Sequence, residues 1–417
     1  MPQLLLCYIP ALDVRRIEAG AFPTVARLMR ACPTVRFRSL PVSENLATTL
    51  TGAPPHVHGM WGPRLRAELR LSALQRSVDL LPDVATTTTQ CLAHVVNGPI
   101  ELATMPPWRR RRFDWMRVNI KFACDRDRTV RRIASTPSLF NLLGDQSRFV
   151  YEDHHDRLDA LIHRVANGDL AFQMIDNHSL DYLLHWNMGS PAVAAYEAGT
   201  DRFVADLEAK CRRNGIQLIL LSDHGQEAVT RVVDLAAVIE AADLGPDRFD
   251  MFIENTRATL WWHDDAARVL LMDRVDGLEG AAVVPREDLA RVGIHFDDRG
   301  YGDAYVYADP GCTFFPNDFY QPIANHVLAF KDRGMRTRRR RPWHVGDHGY
   351  IADTEAEAGF MTLAADGYAA ADRMDIIDIA PSIMALLGRR PPASMTGRAV
   401  FTPRSRAAVR GDAVVEV

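Results

Sequence analysis

Two short apolar segments flank one long helical pattern in the middle of this 417-residue chain, and their order constrains the fold more than any other feature. Residues 170–176 and 216–223 have the length and apolar content of buried strands. Residues 192–213 between them fit a helix that ends before Asn214-Gly215, a common helix stop. A strand, a helix and a strand in this order predict a parallel βαβ unit. The carboxyl ends of both strands then share the edge where open α/β sheets bind ligands.

Several further segments extend this α/β pattern. Residues 4–9 form an apolar run typical of a strand that is buried on both faces. Residues 22–32 fit a helix with Pro23 in its first turn. The other predicted elements are an extended piece at 35–40, a helix at 45–51 that closes at Gly52, and a helix at 375–387.

Two regions depart from this pattern. Short strand-like runs at 258–263, 281–285 and 304–308 surround helical sequence, which predicts a small α+β cap inserted at 256–309. Residues 64–165 are irregular and rich in arginine, and we interpret them as a variable insertion. The α/β core is then formed by residues 1–255 and 310–417.

Composition argues against two broad classes of function. The 49 basic and 53 acidic residues give a net charge of −4, so general nucleic-acid binding is not expected. No stretch approaches 18 apolar residues, and we expect no membrane partner. The six cysteines show no CxxC spacing, and the N-terminus lacks the pattern of a signal peptide. These features predict reduced thiols and a cytoplasmic protein.

Two runs of arginine interrupt the even distribution of charge, at residues 109–112 and 338–341, and each lies beside tryptophan. One interpretation is a pair of solvated loops. The other is a set of guanidinium groups that bind an anionic substrate. For the second interpretation, Arg338 and Arg339 are the candidate substrate-binding residues.

Three short segments place a carboxylate next to an imidazole, or one helical turn away from it. They are Asp181 with His185, Asp223 with His224, and Asp347 with His348. Glycine directly follows the second and third pairs, and Gly189 lies four residues after His185. Carboxylate and imidazole are the ligands that borderline divalent metals such as zinc prefer. A single pair is commonly a salt bridge or a helix cap. Three pairs together predict a site for two metal ions, an arrangement that splits phosphate esters.

These segments, in this order, resemble the alkaline phosphatase superfamily, and most closely its nucleotide pyrophosphatase/phosphodiesterase branch. The resemblance extends to Thr49-Leu50-Thr51-Gly52, to the later Pro55, His58 and Gly59, and to the C-terminal segment 378–388. It covers roughly residues 3–62, 168–226 and 343–400. It implies a three-layer α/β/α sandwich with a mainly parallel sheet, into which the small α+β cap is inserted.

The resemblance also implies roles for individual residues. Asp181, His185 and His348 match the ligands of one divalent metal, and Asp223 and His224 match two ligands of another. Asn45 matches the asparagine that hydrogen-bonds the phosphate. The two cations would be zinc, or alternatively manganese or iron. His344 is an alternative ligand to His348, and Asp347 is expected to hydrogen-bond a ligating imidazole.

The chain departs from the family pattern at two positions. The family's first strand ends in a metal-binding aspartate, where this chain has Pro10. Asp13 is the nearest carboxylate and is therefore the candidate third ligand of the second cation, if the turn at Pro10 bends it inward. The family's nucleophilic threonine falls on Val42, one residue before Ser43. Ser43 is therefore either the nucleophile or merely the cap of the helix that follows.

The resemblance implies a metal-dependent hydrolase that cleaves a phosphodiester or pyrophosphate bond through a covalent phospho-Ser/Thr intermediate. Its partner would be a small phosphorylated substrate such as a nucleotide. One alternative on the same fold is a phosphomonoesterase, phosphonate hydrolase or phosphomutase. Another is a non-catalytic binding or scaffold protein with a degenerate site, which Pro10 and Val42 favour.

Overall fold

The computed structural model describes residues 2–42, 45–61, 77, 80–82, 84–85, 88, 136–152, 158–168, 170–245, 247–297, 299–320 and 341–404. The strands are β1 (Leu4–Tyr8), β2 (Thr34–Arg38), β3 (Ser147–Glu152), β4 (Phe172–Asn177), β5 (Gln217–Ser222), β6 (Glu227–Ala228), β7 (Arg231–Val233), β8 (Phe249–Ile253), β9 (Arg257–Trp262), β10 (Ala281–Pro285), β11 (Ala304–Ala308), β12 (Cys312–Phe314), β13 (Gly346–Asp347), β14 (Ala358–Ala364), β15 (Tyr368–Ala370) and β16 (Phe401–Pro403). The α-helices are α1 (Val14–Glu18), α2 (Pro23–Ala31), α3 (Leu46–Thr51), α4 (Pro55–His58), α5 (Leu139–Leu143), α6 (Leu158–Arg164), α7 (Ser179–Asn187), α8 (Pro191–Arg213), α9 (Leu235–Glu240), α10 (Asp265–Val275) and α11 (Ile379–Leu386).

A six-stranded sheet forms the centre of the molecule, with the strand order β2-β14-β5-β1-β4-β3. β1 pairs in parallel with β4 and with β5, and β3 pairs in parallel with β4. β14 runs antiparallel to both of its neighbours, β2 and β5. The sheet is therefore mainly parallel, as predicted, and the carboxyl ends of β1, β4 and β5 lie side by side.

Helices cover both faces of this sheet. Alternate residues of β1 point to opposite faces, so that Leu6 packs in one hydrophobic cluster and Cys7 in the other. The first cluster includes residues of α3, α5 and α11. The second cluster includes residues of α1, α2, α6, α7 and α8. This arrangement confirms the predicted three-layer α/β/α sandwich.

A second, antiparallel sheet has the strand order β10-β11-β9-β8. It spans residues 249–308, so β8 precedes the expected start of the cap at residue 256. One hydrophobic cluster on this sheet includes Leu271 of α10 and Phe314 of β12. Another includes Tyr305 and Tyr307 of β11 together with Val42 and Trp61. The second sheet therefore packs directly against the loop that precedes α3.

The part of the expected insertion that the structure describes between 139 and 164 contributes to the central layers. β3 is an edge strand of the main sheet, and α5 and α6 pack in the two clusters on its faces. β14, which the sequence did not predict, lies between β2 and β5. Within the described part of the chain, no helix is both long and apolar enough to cross a membrane.

Candidate metal centre

Three chain segments meet at the carboxyl edge of the main sheet. β4 ends at Asn177, and α7 begins after His178 and places Asp181 and His185 one turn apart on the same helix face. β5 ends at Ser222, and Asp223 and His224 follow in a turn. The short pairing of β13 with β6 returns the chain to this edge, where His348 follows β13. These elements bring together residues that lie more than 160 positions apart, since His348 follows Asp181 by 167 residues.

Asp181, His185 and His348 form the first group of the centre, and their ligand atoms all lie within 4.8 Å of one another. Asp181 Oδ1 is 3.3 Å from His185 Nε2 and 3.6 Å from His348 Nε2. Two ligands of a tetrahedral zinc ion, with bonds of about 2.0–2.1 Å, would lie about 3.4 Å apart. Asp181 Oδ1 is buried and has no hydrogen-bond partner among the described residues. The spacing and this unsatisfied oxygen both fit a divalent cation.

The protonation of this group follows from burial and from opposed charges. Burial alone would lower the pKa of His185, but the carboxylates of Asp181 and Asp347 outweigh burial and raise this pKa to about 9. Burial and the neighbouring His224 hold the pKa of His348 well below its usual value. His348 is therefore a neutral imidazole at neutral pH, with a lone pair available for a cation.

Asp223 and His224 form a second group beside the first. Asp223 Oδ2 lies 3.5 Å from His224 Nε2, close to the same tetrahedral spacing. Asp223 Oδ1 is buried and has no hydrogen-bond partner in the part of the chain that the structure describes. The ring of His224 stacks on the ring of His348, with centroids 3.6 Å apart and planes at 11°. This stacking joins the two groups into one continuous centre.

Asp13 lies next to the second group, but its carboxylate is engaged elsewhere. It accepts hydrogen bonds from the backbone N–H of Arg15 at 2.8 Å and from that of Gln226 at 3.2 Å. The guanidinium of Arg15 also binds it at 2.7 Å. Among the described residues, Asp13 does not join Asp223 and His224 in a group whose ligand atoms lie mutually within 4.8 Å.

In the loop before α3, Val42 packs in a hydrophobic cluster whereas Asn45 faces the centre. The side chain of Val42 is buried in the cluster formed with Trp61, Tyr305 and Tyr307. Asn45 immediately precedes α3, and its side chain makes no capping hydrogen bond to the helix. Instead, its Nδ2 donates to Ser39 Oγ at 2.7 Å and lies 3.5 Å from Asp223 Oδ2. The amide of Asn45 is thus part of the centre. Ser43, Arg338 and Arg339 lie outside the described residues.

Residues behind His185 fix the orientation of its ring. Nδ1–H donates to the carbonyl of Gly346 at 2.8 Å, which leaves Nε2 facing Asp181. Asp347 lies on the same side as Nδ1, at 3.6 Å, and accepts a hydrogen bond from Thr313 Oγ1 at 2.9 Å. His344 forms a second candidate cation group with His185 and Asp347.

Two residues that the sequence analysis did not identify hold the segment around His348. Thr256 Oγ1 donates to the carbonyl of His348 at 2.9 Å. Glu357 accepts the next two backbone N–H groups, from Gly349 at 2.8 Å and from Tyr350 at 2.9 Å. Burial raises the pKa of Glu357 to about 7. Both residues act through the backbone, and such contacts leave no recognisable motif.

The fold and the centre define an α/β protein with a carboxylate–imidazole site at the strand ends of a mainly parallel sheet. The family model described as type I phosphodiesterase/nucleotide pyrophosphatase matches residues 43–351, and the chain belongs to this family. It is accordingly a phosphodiesterase-like hydrolase of the alkaline phosphatase superfamily, as the resemblance implied. No match was found among curated protein sequences.

Solved structures with the same fold include ectonucleotide pyrophosphatase/phosphodiesterase 5 from two mammals. The murine protein, an inactive variant in complex with AMP, aligns with a TM-score of 0.61 and 11% identity over 94% of this chain and 96% of that one. The human protein aligns with a TM-score of 0.59 and 13% identity over the same shares of the two chains. At these identities the likeness establishes the fold.

Proposed function

We propose that this protein hydrolyses a phosphodiester or pyrophosphate bond in a small phosphorylated substrate, such as a nucleotide, with the help of two divalent cations. The convergence of Asp181, His185 and His348 at cation-binding distances carries the proposal. Membership of the type I phosphodiesterase/nucleotide pyrophosphatase family supports the reaction class. The complex of the murine protein with AMP supports a nucleotide as the substrate.

Asp181, His185 and His348 would hold one cation, and Asp223 and His224 would contribute two ligands to the other. Zinc suits this set of imidazole and carboxylate donors, and manganese or iron are the alternatives. When bound, such cations neutralise the charge of phosphate oxygens and lower the pKa of a hydroxyl group. Asp13 would support the second group from outside, because it holds the backbone of Gln226.

Ser43 is the proposed nucleophile. Its Oγ loses its proton and attacks phosphorus, and the leaving group departs with the bonding electrons and takes up a proton. Water then cleaves the bond between serine and phosphorus, which restores the serine hydroxyl and releases the rest of the substrate as a phosphate monoester. Val42, at the position of the family's threonine, has no hydroxyl and is buried in a hydrophobic cluster. Asn45, two residues after Ser43, has its amide at the centre and would hold a phosphate oxygen. Arg338 and Arg339 would bind the anionic remainder of the substrate.

The test combines metal analysis with turnover of two substrates. The purified protein should contain close to two divalent cations and should hydrolyse a bis-aryl phosphate faster than an aryl monophosphate. A metal-free protein without turnover would contradict the proposal. Faster turnover of the monophosphate would instead indicate a phosphomonoesterase on the same fold.

The Ser43→Ala variant tests the covalent step. It should lose turnover and keep its metal content, because the hydroxyl is proposed to react and is not required as a ligand for the first cation. The control is Ser147→Ala, which removes a hydroxyl that donates to Gly144 at the start of β3. Near-normal activity of Ser43→Ala would show that water or another hydroxyl attacks the phosphorus.

A further inference from the structure

Asp176 is a fully buried carboxylate that the proposed mechanism does not use. It lies near the carboxyl end of β4, opposite Tyr8 of β1, with 0% of its surface exposed. Both of its oxygens are buried without a hydrogen-bond partner among the described residues. A buried charge in this state is costly to the fold unless a nearby group compensates it.

The imidazole of His178 is the group that faces Asp176. His178 Nδ1 lies 3.7 Å from Asp176 Oδ1, and His178 Nε2 lies 3.2 Å from Asp181 Oδ2. Its ring therefore lies between the two carboxylates. The sequence places the ring there because His178 is the residue immediately before α7 and Asp181 lies in the first turn of that helix.

The two oxygens of Asp181 consequently have different surroundings. Oδ1 faces His185 and His348, where the cation is proposed to bind. Oδ2 faces His178. A carboxylate held at one oxygen cannot rotate freely, so the other oxygen stays directed at the cation site.

We propose that Asp176 and His178 are positioning residues for Asp181, with His178 orienting the Asp181 carboxylate and Asp176 orienting the His178 ring. This inference rests on the proposed function, since Asp181 must be a cation ligand for the positioning to matter. Groups that hold a metal ligand from behind commonly change metal affinity about 10- to 100-fold when they are removed. Here the usual order is reversed, because a histidine supports a ligating carboxylate.

The test measures zinc affinity by competition with a chelator, together with thermal unfolding of the metal-free protein. His178→Ala should weaken zinc binding by about 10- to 100-fold, whereas His178→Gln, which keeps an N–H donor, should recover part of this loss. Asp176→Asn should weaken binding in the same direction but by less. Its metal-free melting temperature should not fall, because asparagine has nearly the same shape and an amide is less costly to bury than a carboxylate.

A double variant of Asp176 and His178 tests whether Asp176 affects zinc binding only through His178. If Asp176 acts only through His178, Asp176→Asn combined with His178→Ala should bind zinc no more weakly than His178→Ala alone. The matched control is His263→Ala on the second sheet. His263 is 28% exposed and pairs with the buried Asp250 at 2.9 Å, much as the 27%-exposed His178 faces Asp176. This control should leave zinc affinity unchanged.

Unchanged zinc affinity in both His178 variants would overturn the inference, and so would additive losses in the double variant. A purely structural role would lower the metal-free melting temperature of Asp176→Asn without changing its zinc affinity, and would also overturn it. Failure of the proposed function is distinguishable, because it shows in the unmodified protein, either as absence of bound zinc or as absence of phosphodiester turnover, whereas the inference is tested by the change in zinc affinity between variants.

Discussion

The metal-free protein should lose stability as the pH rises from about 7 to about 8.5, because its fold holds His185 in the protonated form. The pKa of His185 is about 9 in the folded protein, against an ordinary value of 6.5. A raised histidine pKa gives stability that is fully present below pH 6.5 and is lost as the pH rises through the folded value. His224, whose pKa is also raised, acts in the same direction.

Between about pH 7 and 8.5, the other groups with shifted pKa values contribute little to the pH dependence of stability. The lowered pKa of His348 affects stability only below pH 6.5, since both states are neutral above that value. The raised pKa of Glu357, about 7, affects stability mainly between pH 4.5 and 7. The buried thiols Cys7 and Cys211, whose pKa values are also raised, matter chiefly above pH 9.

The magnitude follows from the number of protons bound. Between about pH 7 and 8.5 the folded protein holds on average about 0.8 proton more at His185 than the unfolded chain does, so the free energy of unfolding falls by roughly 1.7 kcal/mol. The affinity for zinc should have the opposite pH dependence. A ligating imidazole must lose its proton, so zinc affinity should increase more than about tenfold over the same interval.

The assay is equilibrium unfolding in urea with a chelator present, followed by tryptophan fluorescence. His185→Asn should show a much shallower pH dependence, because it removes the titrating ring but keeps an amide donor for the carbonyl of Gly346. His263→Asn, a change on the second sheet, should keep the dependence of the unmodified protein. Constant or increasing stability of the unmodified protein, or an equal slope in His185→Asn, would refute the argument.

Three further predictions concern the centre itself. His348→Ala should lose tightly bound zinc and turnover but keep the helix content of the fold, which metal analysis and circular dichroism would check; retained zinc would contradict it. Metal titration should resolve one tight and one weaker cation, because Pro10 replaces a carboxylate beside the second group, and two equal affinities would be inconsistent with this reasoning. Gly225→Ala would place a Cβ 2.6 Å from Asp13 Oδ2 and displace the turn that follows Asp223. The weaker cation should therefore be lost first, and unchanged binding of both cations would count against this.

The three central parallel strands β1, β4 and β5 were predictable because each is buried along almost its whole length and lies in a mostly apolar segment of the sequence. β3 (Ser147–Glu152) was missed since it lies at the edge of the sheet and has only three consecutive apolar or aromatic residues, between Arg148 and Glu152. β14 was missed although it is largely buried. Its Gly359 has no side chain where a Cβ would lie 2.6 Å from the carbonyl oxygen of Asp223, so a close backbone approach interrupts the apolar run.

Side chains of the centre were predictable where their spacing in the sequence determines that they lie on the same face of one helix. Asp181 and His185 share a helix face because they are four residues apart. The addition of His348 required the family resemblance, because no local pattern indicates which distant segment returns to a strand end. Thr256 and Glu357 were not predictable, since each holds the backbone around His348.

The structure also shows how the carboxyl ends of β1 and β5 stay together although Pro10 replaces the family's metal-binding aspartate at the end of β1. The hydroxyl of Ser222 accepts a hydrogen bond from the backbone of Leu12 at 3.1 Å and donates to the carbonyl of His224 at 2.9 Å. The guanidinium of Arg15 binds Asp13 and also donates to the carbonyl of Gln226 at 2.7 Å. Arg15 thus places a positive charge beside Asp13 and links the segment after β1 to the turn after β5. Because these contacts need no cation, the fold should persist in the metal-free protein, and cation binding at the second group should contribute to catalysis more than to stability.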